Sequence, residues 1–163
     1  MHEYGYGVDQ NDLTAVECYS KAAEQGHADA QFHLGYMNEY GYCVDENDST
    51  AEELYRKAAK QGHAGALFNL GKMYHYGQSV EQKVSTVVEW STILEWYRKA
   101  AEQGHAGAQF NLGKMYENGF GVDKNDSRAV KWYRKAAKQG DDFARHNLDR
   151  LTDKLSKEKS VEM

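Results

Sequence analysis

The sequence predicts an all-α fold, an α-solenoid built from antiparallel helix pairs. The first observation is a near-duplication, because residues 55–74 and 97–116 agree at all but two positions. The second is the absence of proline, which would break helices. The third is a glycine that ends the phrase Ala-Ala-x-Gln-Gly at intervals of 36, 42 and 36 residues, namely Gly26, Gly62, Gly104 and Gly140. A fixed period of about 20–50 residues is the signature of stacked structural repeats.

Each repeat is predicted to contain two helices. The first carries small and apolar residues three and four positions apart, as in Ala108, Leu112, Gly113 and Tyr116. The second has the pattern Ala-x-x-Trp-Tyr-Arg-Lys-Ala-Ala, which begins at Ala129. This spacing gives every helix one packing stripe. A helix pair cannot bury its apolar stripe alone. Neighbouring pairs with identical sequence are therefore expected to stack in the same way.

Residues that favour helix ends stand between the predicted helices. We predict N-caps at Asp12, Asp48 and Asp126, and a capping box formed by Ser49 and Glu52. The glycine that ends each repeat is predicted to be a left-handed C-cap.

Another glycine follows a leucine inside each first helix, at Gly35, Gly71 and Gly113. Glycine costs about 1 kcal/mol relative to alanine in a helix interior. Because it recurs, we expect a close helix–helix contact to require it.

The pattern AxxxLGxxYxxGxGVxxDxxxAxxWYxKAAxxG, clearest in residues 108–140, resembles the Sel-like repeat (SLR) family, a relative of the tetratricopeptide repeats. The resemblance covers about residues 1–150, and many positions match in several copies. It implies a right-handed α-solenoid whose concave face holds other proteins. We therefore expect a protein–protein interaction scaffold or adaptor rather than an enzyme.

The repeats divide the chain into segments. Residues 1–11 are the expected remnant of a first repeat helix and its loop, and residues 12–26 are the second helix of that repeat. Because most of that first helix is missing, we expect either a piece of a longer array or a native start with a frayed repeat. Complete repeats are expected at 27–62, 63–104 and 105–140.

The end of the chain departs from the repeat pattern. Residues 141–155 are predicted to form a capping helix, because His146 and Asp149 are polar where the preceding copy has phenylalanine and glycine. The polar residues 156–163 are predicted to be a disordered tail.

The repeat at 63–104 carries six additional residues within 78–100. Their apolar spacing fits a helix lengthened by about two turns at its N-terminal end, and their β-branching equally fits a short strand. The added apolar surface is either a local packing adjustment or a secondary interface for self-association or for a partner. The residues of this candidate interface are Val84, Val87, Val88, Trp90 and Ile93.

The resemblance also places candidate partner-binding residues, since first helices line the concave groove in tetratricopeptide-like arrays. Aligning the Leu-Gly pairs gives aromatic and long side chains that suit an extended peptide or a partner helix. These residues are Phe32, Tyr36, Tyr40, Phe68, Lys72, Tyr76, Phe110 and Lys114. The same alignment adds Asp29, Glu39, His75, Glu117 and Asn118. The three phenylalanines are alternatively inter-repeat core.

Side-chain sets for catalysis or metal binding are not predicted. His27, His63 and His105 occupy one repeat position, and helices packed about 8–10 Å apart separate such residues too widely for zinc. We interpret them as polar residues at helix junctions. Cys18 and Cys43 lack the repeat-by-repeat pairing of some cysteine-rich relatives, to which penicillin binding has been attributed. We expect no cofactor, and a penicillin-binding or hydrolase-like role is the weakest alternative.

Composition limits the classes of partner. The net charge of −5 and the pI near 5.8 argue against a basic surface for nucleic acid. No apolar run reaches the roughly 18–20 residues that span a bilayer, so we expect no membrane insertion. The lack of a recognisable signal peptide and the two cysteines slightly favour the cytoplasm. We predict a protein or peptide partner, with self-association as the alternative.

Overall fold

The computed structural model describes residues 10–77 and 88–161, and these residues contain helices but no strands. The chain divides into two compact units, Met1–Ala66 and Leu67–Met163. The predicted all-α fold class is confirmed. The helices are α1 (Gln10–Glu24), α2 (Ala28–Tyr40), α3 (Asp48–Lys60), α4 (Ala64–Gly77), α5 (Trp90–Glu102), α6 (Ala106–Asn118), α7 (Asp126–Lys138) and α8 (Asp142–Val161).

In the first unit, α1 packs against α2 and α2 packs against α3. The ring of Tyr55 on α3 is completely buried and lies directly over Gly35 on α2. A Cβ added at Gly35 would lie 2.9 Å from that ring, which is closer than side chains pack. The glycine inside the first helix therefore allows the close approach that the sequence predicts.

In the second unit, α5 packs against α6, α6 against α7, and α7 against α8. The glycine contact recurs twice here, since a Cβ at Gly71 would lie 2.5 Å from the Tyr97 ring and one at Gly113 would lie 2.7 Å from the Tyr133 ring. Both tyrosines are completely buried. The same local sequence thus produces the same helix–helix contact in each repeat.

The predicted C-caps are confirmed. The glycine after each second helix has a left-handed backbone, with φ of +89°, +83°, +94° and +92° at Gly26, Gly62, Gly104 and Gly140. After α3, the amide of Gly62 donates to Ala59 O and the amide of His63 donates to Ala58 O. This pair of hydrogen bonds satisfies two carbonyls that the end of the helix leaves open.

The predicted N-caps are displaced by one residue. Asn47, not Asp48, has the extended backbone of a cap, and its side chain accepts a hydrogen bond of 2.9 Å from Thr50 N. Asn125, not Asp126, plays the same part for α7. Asparagine and aspartate are equally good N-cap residues, so the adjacent pair left the sequence ambiguous.

Two further predictions about helix starts are wrong. Asp12 lies within α1, which begins at Gln10. Ser49 is the second helical residue of α3, so it cannot act as the cap of a capping box. Glu52 instead pairs with Arg56 one turn later at 2.8 Å.

The sequence left open a lengthened helix or a short strand at the insertion, and α5 is not lengthened. The helix begins at Trp90 and has 13 residues, the same number as α3 and α7. Glu89 before it has an extended backbone, with φ −69° and ψ 149°. Residues 78–87, which include Val84 and Val87, lie outside the described residues, as does most of the predicted remnant at 1–11.

The final helix is longer than predicted. α8 continues to Val161, so residues 156–161 are helical rather than a disordered tail. Neither glycine nor proline occurs after Gly140 to end the helix. Backbone carbonyls of the helix accept bonds from Ser156 and Ser160, and Lys154 lies 3.9 Å from Glu158.

Candidate protein-interaction surface

The predicted groove residues lie on the first helices of the repeats, spaced four residues apart along one side of each helix. In the first unit they lie on α2, and in the second unit on α4 and α6. The residues of the first unit are Phe32, Tyr36 and Tyr40. Those of the second unit are Phe68, Lys72, Tyr76, Phe110 and Lys114.

The three phenylalanines are half-buried and join one repeat to the next. The Phe32 ring lies 4.5 Å from the ring of His63 at the start of the next repeat, and the Phe68 ring lies 4.4 Å from that of His105. Gly65 and Gly107 leave room for them, since a Cβ at either glycine would lie within about 3 Å of the phenylalanine ring. These side chains therefore act mainly in stacking, as the alternative interpretation of the sequence expected.

The first unit carries an exposed tyrosine cluster, which consists of Tyr36, Tyr40 and Tyr42. Their exposed fractions are 39%, 43% and 53%. The ring centroids lie 4.6 Å apart for Tyr36–Tyr40 and 5.9 Å apart for Tyr36–Tyr42. Tyr42 was missed by the sequence analysis because it follows the end of α2, although its place in the Gly-Tyr turn is visible in the sequence.

The second unit carries a continuous row of rings, which consists of Tyr76, His75, Trp90 and Phe120. Consecutive centroids along this row lie 4.7, 5.2 and 5.0 Å apart. Tyr76 and Phe120 are 48% and 40% exposed. A Cβ at Gly121 would lie 2.5 Å from the Trp90 carbonyl oxygen, so glycine lets the loop after α6 approach the start of α5. The aromatic row thus joins the two first helices of this unit through that loop.

A buried tyrosine hydroxyl in each repeat meets a polar residue on the first helix. The Tyr55 hydroxyl donates to Glu39 Oε2 at 2.5 Å, and the Tyr133 hydroxyl donates to Glu117 Oε2 at 2.7 Å. In the repeat between them the partner is His75, whose Nδ1 lies 3.4 Å from the Tyr97 hydroxyl. Glu39, His75 and Glu117 therefore anchor the pairs rather than line an open groove.

Burial and neighbouring charged groups shift the pKa values of these tyrosine and histidine side chains. Burial raises the pKa of Tyr97, and burial with the hydrogen bond to Glu117 raises the pKa of Tyr133. Burial also lowers the pKa of His75, and the positive charge of Lys114 lowers it further. His75 is therefore neutral near pH 7, and Lys114 is close enough to influence it.

Positively charged side chains recur at one repeat position in the second unit. The Lys72 ammonium lies 5.7 Å from the Phe68 ring centroid, and the Lys114 ammonium lies 5.7 Å from that of Phe110, both within the range of a cation–π contact. One repeat further on, Arg150 of α8 forms an ion pair with Glu117. The equivalent positions thus hold a cation in three successive copies.

Buried glutamines connect neighbouring repeats in both units. In the second unit, Gln109 Nε2 donates to Ala101 O at 3.1 Å, and Gln139 Nε2 donates to Gln109 Oε1 at 2.8 Å. Gln31 and Gln61 make the equivalent bonds in the first unit. The repeat pattern alone does not predict this connection, although the Leu67/Gln109 difference between the duplicated segments lies at its centre.

Two of the three repeated histidines cap helices with their side chains, whereas His27 precedes α2 without a side-chain cap hydrogen bond. His63 Nδ1 accepts a hydrogen bond from Ala66 N at 3.1 Å, and His105 Nδ1 accepts one from Ala108 N at 3.2 Å. Among the described residues, no group of His, Cys, Asp or Glu side chains is placed to hold a metal ion. Cys18 is exposed and Cys43 is partly buried, and both are free thiols.

The candidate secondary interface is only partly at the surface. Ile93 is completely buried and belongs to the core of the second unit, which corrects its prediction as an interface residue. Val88 and Trp90 are half-buried. Ile93 lies on the buried face of α5 together with Tyr97 and Ala100, because residues four and seven positions apart share one side of an α-helix.

The repeats can now be compared with known families. Residues 1–27, 28–63, 64–85, 94–105 and 106–141 match the model of the Sel1 repeat. The chain belongs to the Sel1 repeat family. Members of this family are generally protein-interaction scaffolds and are typically non-catalytic. The unmatched residues 86–93 fall within the segment 78–100 that carries the six additional residues.

Solved structures of Sel1 repeat proteins resemble the chain. One is a protective antigen present in uropathogenic Escherichia coli strains that displays an SLR fold, with 35% identity over 91% of this chain and a TM-score of 0.76. This chain spans only 31% of that protein. Another is a Sel1 repeat protein from Oxalobacter formigenes, with 34% identity, a TM-score of 0.71 and coverage of 83% of this chain and 97% of that one.

A more distant structure agrees in fold alone. Helicobacter pylori cysteine rich protein B has 24% identity and a TM-score of 0.59, over 86% of this chain and 96% of that one. No curated protein sequence matches this chain. These structures confirm the α-solenoid class predicted for this Sel1 repeat chain. None of its described helices is long and apolar enough to cross a membrane.

Proposed function

We propose that this Sel1 repeat chain is a non-catalytic scaffold or adaptor that binds a peptide or a partner helix along the concave groove of its first helices. The observation that carries the proposal is the exposure of large aromatic side chains on the first helices of each unit. Tyr36 and Tyr40 on α2 and Tyr76 on α4 are each more than one third exposed. Clustered exposed aromatic rings are typical of protein-binding surfaces.

Charged groups beside the rings favour a polypeptide partner. Lys72 and Lys114 lie over the half-buried Phe68 and Phe110, so apolar and charged chemistry alternate along α4 and α6. Aromatic anchors supply contact area at a small cost in side-chain entropy, and neighbouring charges select the partner. An extended peptide or an amphipathic helix presents both kinds of group at matching intervals.

The test is a selection from a library of displayed random peptides, with the full chain as the immobilised target. The groove variant carries Lys72→Glu, Tyr76→Ala and Lys114→Glu. A control variant carries Lys131→Glu and Lys138→Glu, two exposed positions on α7 with the same reversal of charge. Both variants should unfold near the wild-type temperature, because they leave the buried tyrosines and glycines intact.

We expect peptides selected on the wild-type chain to bind the α7 control equally and to lose at least about tenfold in affinity for the groove variant, since anchor residues dominate such interfaces. Equal binding to all three proteins would move the site away from the first helices. A wild-type chain that enriches no peptide would contradict the proposed function itself.

Self-association is a second candidate, favoured by the exposed Phe120 stacked on Trp90 beside the insertion. A Phe120→Ser variant would then weaken association that sedimentation detects at high concentration. A wild-type chain that sediments as a monomer at every concentration would exclude this candidate.

A further inference from the structure

His75, which contacts a buried tyrosine hydroxyl, differs in charge from the residues at the same position of the other repeats. Glu39 and Glu117 are carboxylates that accept hydrogen bonds from Tyr55 and Tyr133. At the same repeat position the second unit has His75, which lies beside the Tyr97 hydroxyl. The substitution keeps a polar partner for the hydroxyl but removes a negative charge from the surface of α4.

The loss of this negative charge affects Lys114. One repeat later, Arg150 occupies the position equivalent to Lys114 and forms an ion pair with Glu117. Among the described side chains, no carboxylate lies within ion-pair distance of Lys114. His75 is the repeat equivalent of Glu117, so it stands where that carboxylate would be, and the positive charge of Lys114 lowers its pKa. Because His75 is neutral near pH 7, the positive charge of Lys114 is not balanced there.

The surroundings of Lys114 are suited to holding a ligand. Its ammonium lies over the Phe110 ring, and the row of rings that contains His75 ends in the exposed Tyr76 and Phe120. An ammonium held against an aromatic ring is partly stripped of water, which strengthens its attraction for an anion. Apolar rings on either side exclude water from a bound side chain in the same way that an interface rim does.

We infer that Lys114, with the aromatic row beside it, binds an acidic side chain of the partner polypeptide, followed closely by an apolar residue that packs on the row. This inference rests on the proposed function and specifies the partner's chemistry. The acidic side chain takes the place that Glu117 takes beside Arg150 in the next repeat. The partner therefore supplies the negative charge that His75 does not.

A peptide is favoured over a nucleic acid because of the charge distribution. Phosphate backbones are bound by clusters of basic residues, whereas this chain has a net charge of −5. A single unbalanced ammonium among aromatic rings matches one carboxylate and one apolar group. At physiological salt, charges more than about 8 Å away are largely screened, so the local cation outweighs the acidic remainder of the chain.

The test uses the displayed peptide library with three proteins: wild type, His75→Glu and His75→Gln. Glutamate at position 75 restores the arrangement of the neighbouring repeats, because it can accept from Tyr97 and pair with Lys114. Glutamine is the matched control, since it also accepts from Tyr97 but carries no charge. Both variants are expected to fold, as the repeats with Glu39 and Glu117 already hold a carboxylate at this position.

We expect wild type and His75→Gln to enrich Asp or Glu at one position of the peptides, and His75→Glu to lose that enrichment while it still selects apolar residues. Replacing the enriched acid with its amide in a synthetic peptide should weaken binding to wild type about three- to tenfold, as for a partly exposed charge pair. The same replacement should change binding to His75→Glu less than about twofold.

The possible failures are distinct. Enriched peptides without a preferred acid, or an acid preference that His75→Glu retains, would overturn this inference and leave the proposed function standing. A wild-type chain that enriches no peptide at all would overturn both.

Discussion

The helix pairs α4–α5 and α6–α7 of the second unit share most of their sequence, yet their polar contacts differ. In α6–α7, Tyr133 bonds Glu117, which also pairs with Arg150, and Gln109 bonds Gln139. In α4–α5, the corresponding residues are His75 and Leu67. The comparison teaches that the packing glycines and tyrosines define the fold, whereas substitutions at the polar positions change what the surface offers to a partner.

Gly71 and Gly113 make the close helix contact that both pairs share. Gly113→Ala places a Cβ 2.7 Å from the ring of the completely buried Tyr133. The ring has no space to withdraw, so the overpacking should lower the free energy of unfolding by about 1–3 kcal/mol despite the better helix propensity of alanine. Chemical denaturation would measure this loss. A Gly113→Ala variant as stable as wild type would show that the close contact is not needed.

The tyrosine hydroxyls should distinguish the two pairs. Tyr133→Phe removes a 2.7 Å bond to a carboxylate and is expected to cost about 1.5–3 kcal/mol, because bonds to charged groups are the stronger ones. Each hydroxyl also accepts a hydrogen bond from an asparagine, Asn111 for Tyr97 and Asn147 for Tyr133, so that loss is common to both variants. Beyond it, Tyr97→Phe removes only a 3.4 Å contact with a neutral ring and is expected to cost about 1 kcal/mol less than Tyr133→Phe. Urea unfolding of the two variants side by side would check the order, and equal losses would contradict the difference between the anchors.

The residues at the equivalent positions 67 and 109 can be exchanged between the two helix pairs. Gln109→Leu gives α6 the residue of α4 and breaks the bond to Gln139, at an expected cost of about 0.5–1.5 kcal/mol. Leu67→Gln is the reverse exchange, and burying an added amide at a 3% exposed site should also destabilise the chain unless Gln103 turns from Lys99 O to meet it. Thermal unfolding of both variants separates these outcomes. A stabilised Gln109→Leu variant would mean that the connection specifies register without adding stability.

The smallest expected effect is a dependence on pH. The folded pKa of His75 lies below its unfolded value near 6.5, so the unfolded chain binds a proton first as the pH falls. The stability that neutral His75 contributes is fully present above pH 6.5 and is lost progressively below it. Wild type should therefore lose more stability than His75→Gln between pH 7 and pH 5. Parallel losses in the two proteins would contradict the shift.

The sequence predicted the parts of the fold that depend on periodic packing. The recurring sequence pattern predicted the repeat period, the left-handed glycines and the close contact at Gly35, Gly71 and Gly113. Helix ends were less predictable, because Asn47 and Asp48 are equally suitable caps and only the backbone decides between them. The end of α8 was missed because polarity was interpreted as disorder in a segment that contains no helix breaker.

The candidate site was predictable as a list of helix positions but not as a chemical environment. Alignment of the repeats identified Lys114 and Tyr76 as groove residues. It could not assign Ile93 to the core or the phenylalanines to inter-repeat stacking, because both depend on the direction of each helix. Nor could it connect His75 to Lys114, since they lie on different helices, and the effect of Lys114 on the pKa of His75 depends on the folded structure.

The most direct measurement is a double-mutant cycle between positions 75 and 114, read as the free energy of unfolding. The four proteins are wild type, His75→Glu, Lys114→Gln and the double variant. If Lys114 stands beside position 75 and lacks only a carboxylate, glutamate should stabilise the lysine-containing chain more than the glutamine-containing one, with a coupling of about 0.5–1 kcal/mol. A coupling of zero would contradict the account, because it would mean that the ammonium of Lys114 is not unbalanced at this position.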